Sequence, residues 1–141
     1  MKDKIIEHIN ETNKNTVFHA LGISIERLDP DETIIRMPVD NRHLQHIGLV
    51  HGGIYVLLAE SAASMAGACA LKEAGVVVGL EINANHLSSV SSGVLFAKSK
   101  SIHQGRSTMV YEIKVTNEEN KLISIARCTL MVKAFSKMPS A

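Results

Sequence analysis

Residues 52–71 read GGIYVLLAESAASMAGACAL, a run whose only charged side chain is Glu60. The Gly52-Gly53 pair opens a helix that runs to about Glu73, apolar on nearly all sides, with Gly75 placed as its C-terminal stop. Beyond it the hydrophobic period changes from 3.6 to 2. Segments 76–88, 92–104, 107–117 and 121–133 read as four strands, separated by short turns at 89–92, 105–106 and 117–120. Met109, Tyr111, Ile113 and Val115 share one face, and Thr108, Glu112 and Lys114 the other. Connections this short require an antiparallel sheet.

Lengths give the architecture. A 22-residue helix is ~33 Å long, and strands of ten to thirteen residues span ~33–43 Å. One long apolar helix and one long antiparallel sheet therefore match end to end, with the twisted sheet curling around the helix. This is an α+β chain with the plan of a hotdog fold. Upstream, residues 3–13 read as a short amphipathic helix with Ile5, Ile6 and Ile9 on one face. Segments 22–28 and 32–39 read as strands around the turn chemistry of Asp29-Pro30-Asp31. Residues 40–50 form a polar, His-containing loop. The whole chain, 1–141, reads as one domain with its core in 22–133, and the last five or six residues as a loose tail.

Composition excludes several functions. Fifteen basic against fourteen acidic side chains leave a net charge of +1, without the clustered Lys and Arg of a duplex-binding protein. Aromatic residues are 4% of the chain, with no Trp, which argues against base-stacking platforms. Cys69 and Cys128 form no CxxC and follow no secretory leader, so both are expected as small core residues of a cytoplasmic protein. Together with seven His they lack the ligand spacing of a zinc site, and no metal is expected. The apolar run approaches transmembrane length, but a central Glu costs about 2.5–3.5 kcal/mol on insertion scales and no basic flank supports a span.

Glu60 carries the chemistry. An ionised carboxylate in so apolar a helix is costly unless paired, and no Lys or Arg lies between Gly52 and Leu71. At 100° per residue its face carries Gly53, Val56, Leu57, Ser64 and Gly67; Ser64, at i+4, can hydrogen-bond the carboxylate, and the glycines leave room for a ligand. The plain alternative is a core Glu paired with Arg36 or Arg127 from a strand. His51-Gly52-Gly53 adds unpaired amides at a helix N-terminus, an oxyanion or phosphate site, or simply a tight turn. Gly52 and Glu60 are ~12 Å apart along one helix axis. A reacting atom cannot touch both, so a shared site requires Gly52 from a neighbouring antiparallel helix and hence a symmetric dimer.

The run from Gln45 through His46-Ile47-Gly48-Leu49-Val50-His51-Gly52-Gly53, then Leu58-Ala59-Glu60-Ser61 and Ser64, resembles the hotdog acyl-CoA thioesterases. It is most similar to the 4-hydroxybenzoyl-CoA thioesterase branch. Residues 78–86, VGLEINANH, resemble within that branch the 1,4-dihydroxy-2-naphthoyl-CoA hydrolases of menaquinone synthesis. The likeness covers about residues 22–133. It implies Glu60 as nucleophile or general base and the Gly52 amide as the polariser of the thioester oxygen. Gln45 and His51 would orient the carbonyl or attacking water, and Ser64 would position water or Glu60. It also implies CoA and substrate contacts by Gly79, by His86, Leu87, Ser88 and Ser89, and by His103, Gln104, Gly105, Arg106, Ser107 and Thr108. Arg106 is the best phosphate partner among them, unless it is only a solvated turn residue. Two departures from the branch are Ser88, where relatives often carry a basic residue, and His46-Ile47, where a Pro-containing loop is common.

The implied reaction is hydrolysis of an acyl-CoA thioester to acid and CoA, with 1,4-dihydroxy-2-naphthoyl-CoA the expected substrate. No cofactor is expected, and a homodimer assembling into a homotetramer is. The alternatives are a general aromatic or medium-chain acyl-CoA thioesterase, or an acyl-CoA-binding module without catalysis. A hotdog dehydratase fits less well: its catalytic His stands beside a Phe-Pro pair, and no Pro lies near His51.

Overall fold

The small residues of the central helix decide how closely it can lie on the sheet. In the computed structural model, which describes residues 2–135, helix α3 (Gly52–Leu71) buries Tyr55, Leu58, Ala59, Ala62, Ala63, Ala66 and Gly67. Four alanines and a glycine bring the backbones together. A side chain at Gly67 would meet Leu130 Cδ1 at 2.7 Å and both Val77 methyls at 3.3 Å. The sheet has the order β1-β2-β4-β5-β6-β3, antiparallel throughout. Its strands are β1 (Ser24–Arg27), β2 (Glu32–Pro38), β3 (Gly75–His86), β4 (Val94–Gln104), β5 (Thr108–Thr116) and β6 (Leu122–Ala134). Alternation holds in β5: Met109, Tyr111, Ile113 and Val115 are buried against the helix with Ile35, Met37, Leu95, Cys128 and Leu130. The strand boundaries lie within one or two residues of those read from the sequence.

Four expectations change. Strands β3 and β4 are antiparallel but not neighbours. Residues 87–93 cross the end of the sheet, held by Leu87 N–H to Ile123 O (2.7 Å), Val50 N–H to Val90 O (2.8 Å) and Val39 N–H to Gly93 O (2.8 Å). Helix α3 stops at Leu71 rather than about Glu73, and Lys72, not Gly75, adopts the positive φ (57°) that ends it. Gly75 opens β3 instead, where a Cβ would collide with the Lys133 carbonyl. The helix is not buried on nearly all sides: Ile54, Leu57, Ser61, Ser64 and Met65 are only half-buried and Ala68 is exposed, because this chain has no layer to cover that face. Finally, 3–13 is the helix α1 (Lys2–Thr12), but a second helix, α2 (Val17–Leu21), follows it unread. Thr16 caps its N-terminus, Gly22 (φ 72°) ends it, and Phe18 anchors it in the core. The expected loose tail lies outside the described residues.

The loop from Asp40 to Val50 is more ordered than its polarity suggests. Buried His43 accepts the Asp40 N–H at Nδ1 (3.0 Å), and its Nε2–H donates to Leu21 O (2.8 Å). That fixes the approach to the N-terminus of α3, since the His51 N–H bonds His43 O at 2.9 Å. The load on the core can be tested at Leu58, fully buried midway along α3. Leu58→Ala should lower unfolding free energy by about 2–5 kcal/mol, read as a shift of the urea midpoint at unchanged m-value.

Candidate active site

Glu60 sits on the flank of α3 that faces β3, half-buried. Its carboxylate occupies the space above Gly79, where any Cβ would overlap Oε1. Next to Gly79 the strand bulges, so that Gly79 pairs with Leu130 and Glu81 with Thr129, leaving Leu80 as the extra residue. Among the described residues nothing donates a hydrogen bond to Glu60 and no cation pairs with it. Arg36 and Arg127 alternate with helix-facing residues and so lie on the outer face of the sheet. The plain alternative of a core ion pair is not formed.

The thiols cannot take the carboxylate's place. Burial pushes the Cys128 thiol up to about 12, and the Glu60 and Glu81 charges add to the rise. Cys69, half-buried beside α1, is also raised, chiefly by burial. Both stay protonated near neutral pH, and a thiol is a poor nucleophile.

At the helix N-terminus, His51 is the cap: its Nδ1 accepts the Gly53 N–H at 2.8 Å. One of the two amides expected to be free is therefore used within the chain, while the Gly52 N–H makes no bond among the described residues. With Nδ1 accepting, the neutral ring carries its proton on Nε2 and can donate outward. Gln45 is half-buried in a turn made by Gly48 (φ 87°), with its Oε1 taken by the Ile47 N–H at 2.6 Å. Its NH₂ remains to donate. Ser64 lies half-buried one turn from Glu60 and makes no hydrogen bond to it.

The expected CoA-contacting residues fall into two groups. His86, at the end of β3, lies against the N-terminus of α3: its Nε2 would be 3.0 Å from a Gly52 Cβ, and its ring is 5.1 Å from that of Tyr55. Leu87, Ser88 and Ser89 follow it, with the Leu87 and Ser88 amides both on Ile123 O. His103 to Thr108 form the β4–β5 hairpin. Gln104 Nε2 donates to Pro30 O at 2.9 Å, so that side chain ties down the β1–β2 turn. Arg106 is exposed and unpaired among the described residues. Thr108 is level with Met131 and Val78, whereas Thr116 is level with Leu122. Eight residues of strand, ~27 Å, thus separate the two groups within one chain. Gly79 belongs with Glu60 rather than with either.

Two neighbours escaped the sequence reading, Tyr55 and Ser124. The first is hidden in an apolar run. Ser124 was findable, because period two puts it with Ala126, Cys128 and Leu130 on the helix side of β6, a hydroxyl among apolar side chains. A cavity of about 810 Å³ lies elsewhere. It is lined by Ile5, Ile9, Leu28, Met65 and Cys69 among others. Met65 and Cys69 project about 140° and 180° around the helix from Glu60. Volume and chemistry disagree here: Lys2, Lys72 and Glu73 also line the void, but the unpaired carboxylate over Gly79 lies outside it, and the candidate site is placed at that carboxylate. Among the described residues no three His, Cys, Asp or Glu are grouped to hold a metal.

Comparison with known proteins agrees with this placement of helix and sheet. The thioesterase superfamily model matches residues 47–124, from the Gly48 turn through β6's first residues. A 1,4-dihydroxy-2-naphthoyl-CoA hydrolase of Listeria monocytogenes is 43% identical over 114 residues, 81% of this chain and 93% of that protein. A proofreading thioesterase of Cronobacter turicensis is 36% identical over 127 residues, 90% of this chain and 93% of its own. The crystal structure of a Haemophilus influenzae thioesterase superposes with a TM-score of 0.87 at 43% identity, covering 92% of this chain and 90% of that one. The helix-on-curved-sheet plan is thus the hotdog fold, and the chain belongs to the thioesterase superfamily, as an enzyme that hydrolyses acyl-CoA thioesters.

Proposed function

We propose that the chain hydrolyses 1,4-dihydroxy-2-naphthoyl-CoA in a site shared by two subunits, with Glu60 of one and the Gly52 amide of the other. The observation that carries this reading is the unpaired Glu60 carboxylate held over Gly79, ~12 Å along the helix axis from the nearest free helix-end amide of its own chain. The printed name of the Listeria relative supports the acyl group. The different name of the Cronobacter relative favours, as second reading, a broader range of acyl-CoA esters.

Two exposed surfaces support the dimer. Strand β3 is a sheet edge with unpaired backbone along twelve residues, and Val76, Val78 and Leu80 are 44, 41 and 55% exposed on it. An edge of that length and polarity is a template for another strand. The half-buried face of α3 lies alongside. Bringing Gly52 against the partner subunit's Glu60 puts a twofold axis midway along α3. Since Gly52 is beside His86 and Glu60 beside Gly79, the same axis passes midway along β3, and Gly79 then faces the partner's His86. The partner's 103–108 hairpin arrives near this chain's 87–89 turn, uniting the two groups that one chain separates. Arg106 would there meet a phosphate of CoA.

In this arrangement the Gly52 amide, aided by the helix dipole, stabilises charge developing on the thioester oxygen. His51 Nε2–H and the Gln45 NH₂ are donors for the carbonyl or for water. Glu60 either attacks the acyl carbon, expelling the CoA thiolate and forming an anhydride that water opens, or removes a proton from attacking water. Both routes release acid and CoA, and neither calls on a cofactor.

Glu60→Gln should fold and assemble yet lose about 10³-fold in kcat, measured by release of free thiol. Gly52→Val, which pushes into the His86 ring, should be similarly inactive. Co-expressing the two variants should restore about a quarter of wild-type activity, because half the dimers then contain one intact shared site. No recovery above the singly expressed variants would show that the site is built within one chain. The acyl group is checked by kcat/KM across a panel of CoA thioesters. 1,4-Dihydroxy-2-naphthoyl-CoA should lead, and a lead by straight-chain fatty acyl-CoA would replace it.

A further inference from the structure

Ser124 is a hydroxyl buried to 1% exposure on the helix-facing side of β6. It makes two contacts, Oγ to Asn85 O at 3.2 Å and Oγ to His86 Nδ1 at 2.8 Å. A serine hydroxyl has one proton, and a backbone carbonyl can only accept. The proton therefore goes to Asn85 O, and the contact with His86 is made by an Nδ1–H donating to Oγ. That assigns the tautomer: Nε2 carries a lone pair. The neighbourhood favours the same choice. Nε2 and Cδ2 fill the space a side chain at Gly52 would need, at 3.0 and 3.1 Å, beside the positive end of α3. There a lone pair is stabilised and a second N–H is not. Among the described residues nothing donates to Nε2.

A bare acceptor beside the amide that would hold the thioester oxygen has an evident partner in an aryl thioester. In a 1-hydroxy-2-acyl arene the hydroxyl sits on the ring carbon next to the acyl-bearing one, alongside the carbonyl. We infer that His86, held by Ser124 with its Nε2 lone pair over Gly52, accepts a hydrogen bond from an ortho hydroxyl of the acyl group and so selects 2-hydroxyaroyl thioesters over unsubstituted ones. The inference rests on the proposed placement of the thioester carbonyl at Gly52 and deepens it. His86 contacts substrate; Ser124 is a positioning residue that acts through it.

The probes are 2-hydroxybenzoyl-CoA, 4-hydroxybenzoyl-CoA and benzoyl-CoA, compared by kcat/KM. Wild type should favour the 2-hydroxy ester over benzoyl-CoA by about tenfold, the worth of one well-placed hydrogen bond, with no such gain for the 4-hydroxy ester. His86→Phe should bring that ratio below twofold. Ser124→Ala, which frees the imidazole to change tautomer, should lower it severalfold, and Ser124→Thr, which keeps the hydroxyl, should restore it. In long-range ¹H–¹⁵N spectra the His86 ring should show the Nδ1–H form in wild type and a mixture in Ser124→Ala. An Nε2–H ring in wild type, or an ortho-hydroxyl preference that survives His86→Phe, overturns the inference and leaves the thioesterase reading intact. Wild type that shows no preference among the three esters overturns it together with the hydroxynaphthoyl assignment.

Discussion

A carboxylate on the inner helix can be housed only where the sheet gives way, and in this chain it gives way at Gly79. Around Gly67 helix α3 is pressed against its strands by small residues, so that even a Cβ there would meet Leu130 and Val77. Glu60 escapes by lying on the flank toward β3, over a residue without a Cβ, at a bulge that sets one residue out of register. No strand residue supplies a compensating cation. The carboxylate is therefore half-buried with no compensating cation among the described residues. The bulge that makes this possible costs β3 one rung of pairing with β6, which the remaining eleven aligned pairs absorb.

The same flank is also sparsely covered. The outer edge of β3 and the outward face of α3 are both apolar and both uncovered, and they adjoin one another. Native sheets ordinarily blunt such an edge with charge, proline or brevity; β1, at the opposite edge, is only four residues long. Long β3 shows none of these devices near its start, where Val76, Val78 and Leu80 point outward. The exposed edge and the unpaired carboxylate thus lie on one flank, which is what the proposed two-subunit site uses.

Much of this was legible from residues alone. The change of period after Leu71 separates helix from strands, and the apolar run makes Glu60 conspicuous because nothing else in it is charged. The sequence left Arg36 and Arg127 open as partners for Glu60, and only the observed burial pattern puts them on the far face of the sheet. What was not legible is pairing over distance. Short turns suggest hairpins, yet residues 87–93 carry the chain across the sheet's end, since Val90 and Gly93 are anchored by Val50 and Val39 and not by a partner strand. Gly75 reads equally as a helix stop or as a strand residue under a carbonyl, because a sequence lists a missing Cβ without saying what it would have struck. Nor could the residues alone tell which ring nitrogen of His51 caps the helix; the structure puts Nδ1 on the Gly53 amide and leaves Nε2 outward.

These contacts also decide which nitrogen of each histidine can do what, and so divide the labour at the helix N-terminus. His43 uses both ring nitrogens on backbone, Nδ1 on the Asp40 amide and Nε2 on the Leu21 carbonyl, and is structural. His51 accepts with Nδ1 and so presents an Nε2–H. His86, bound at Nδ1 by a buried hydroxyl whose own proton is committed, presents a lone pair at Nε2. One donor ring and one acceptor ring thus flank the same free Gly52 amide, each fixed by a backbone or hydroxyl contact and not by substrate. A thioester carbonyl docked there meets the amide and a neighbouring N–H, while a hydroxyl beside it meets an acceptor. Polarity of that handedness distinguishes acyl groups by what they carry next to the carbonyl, which charge alone could not do.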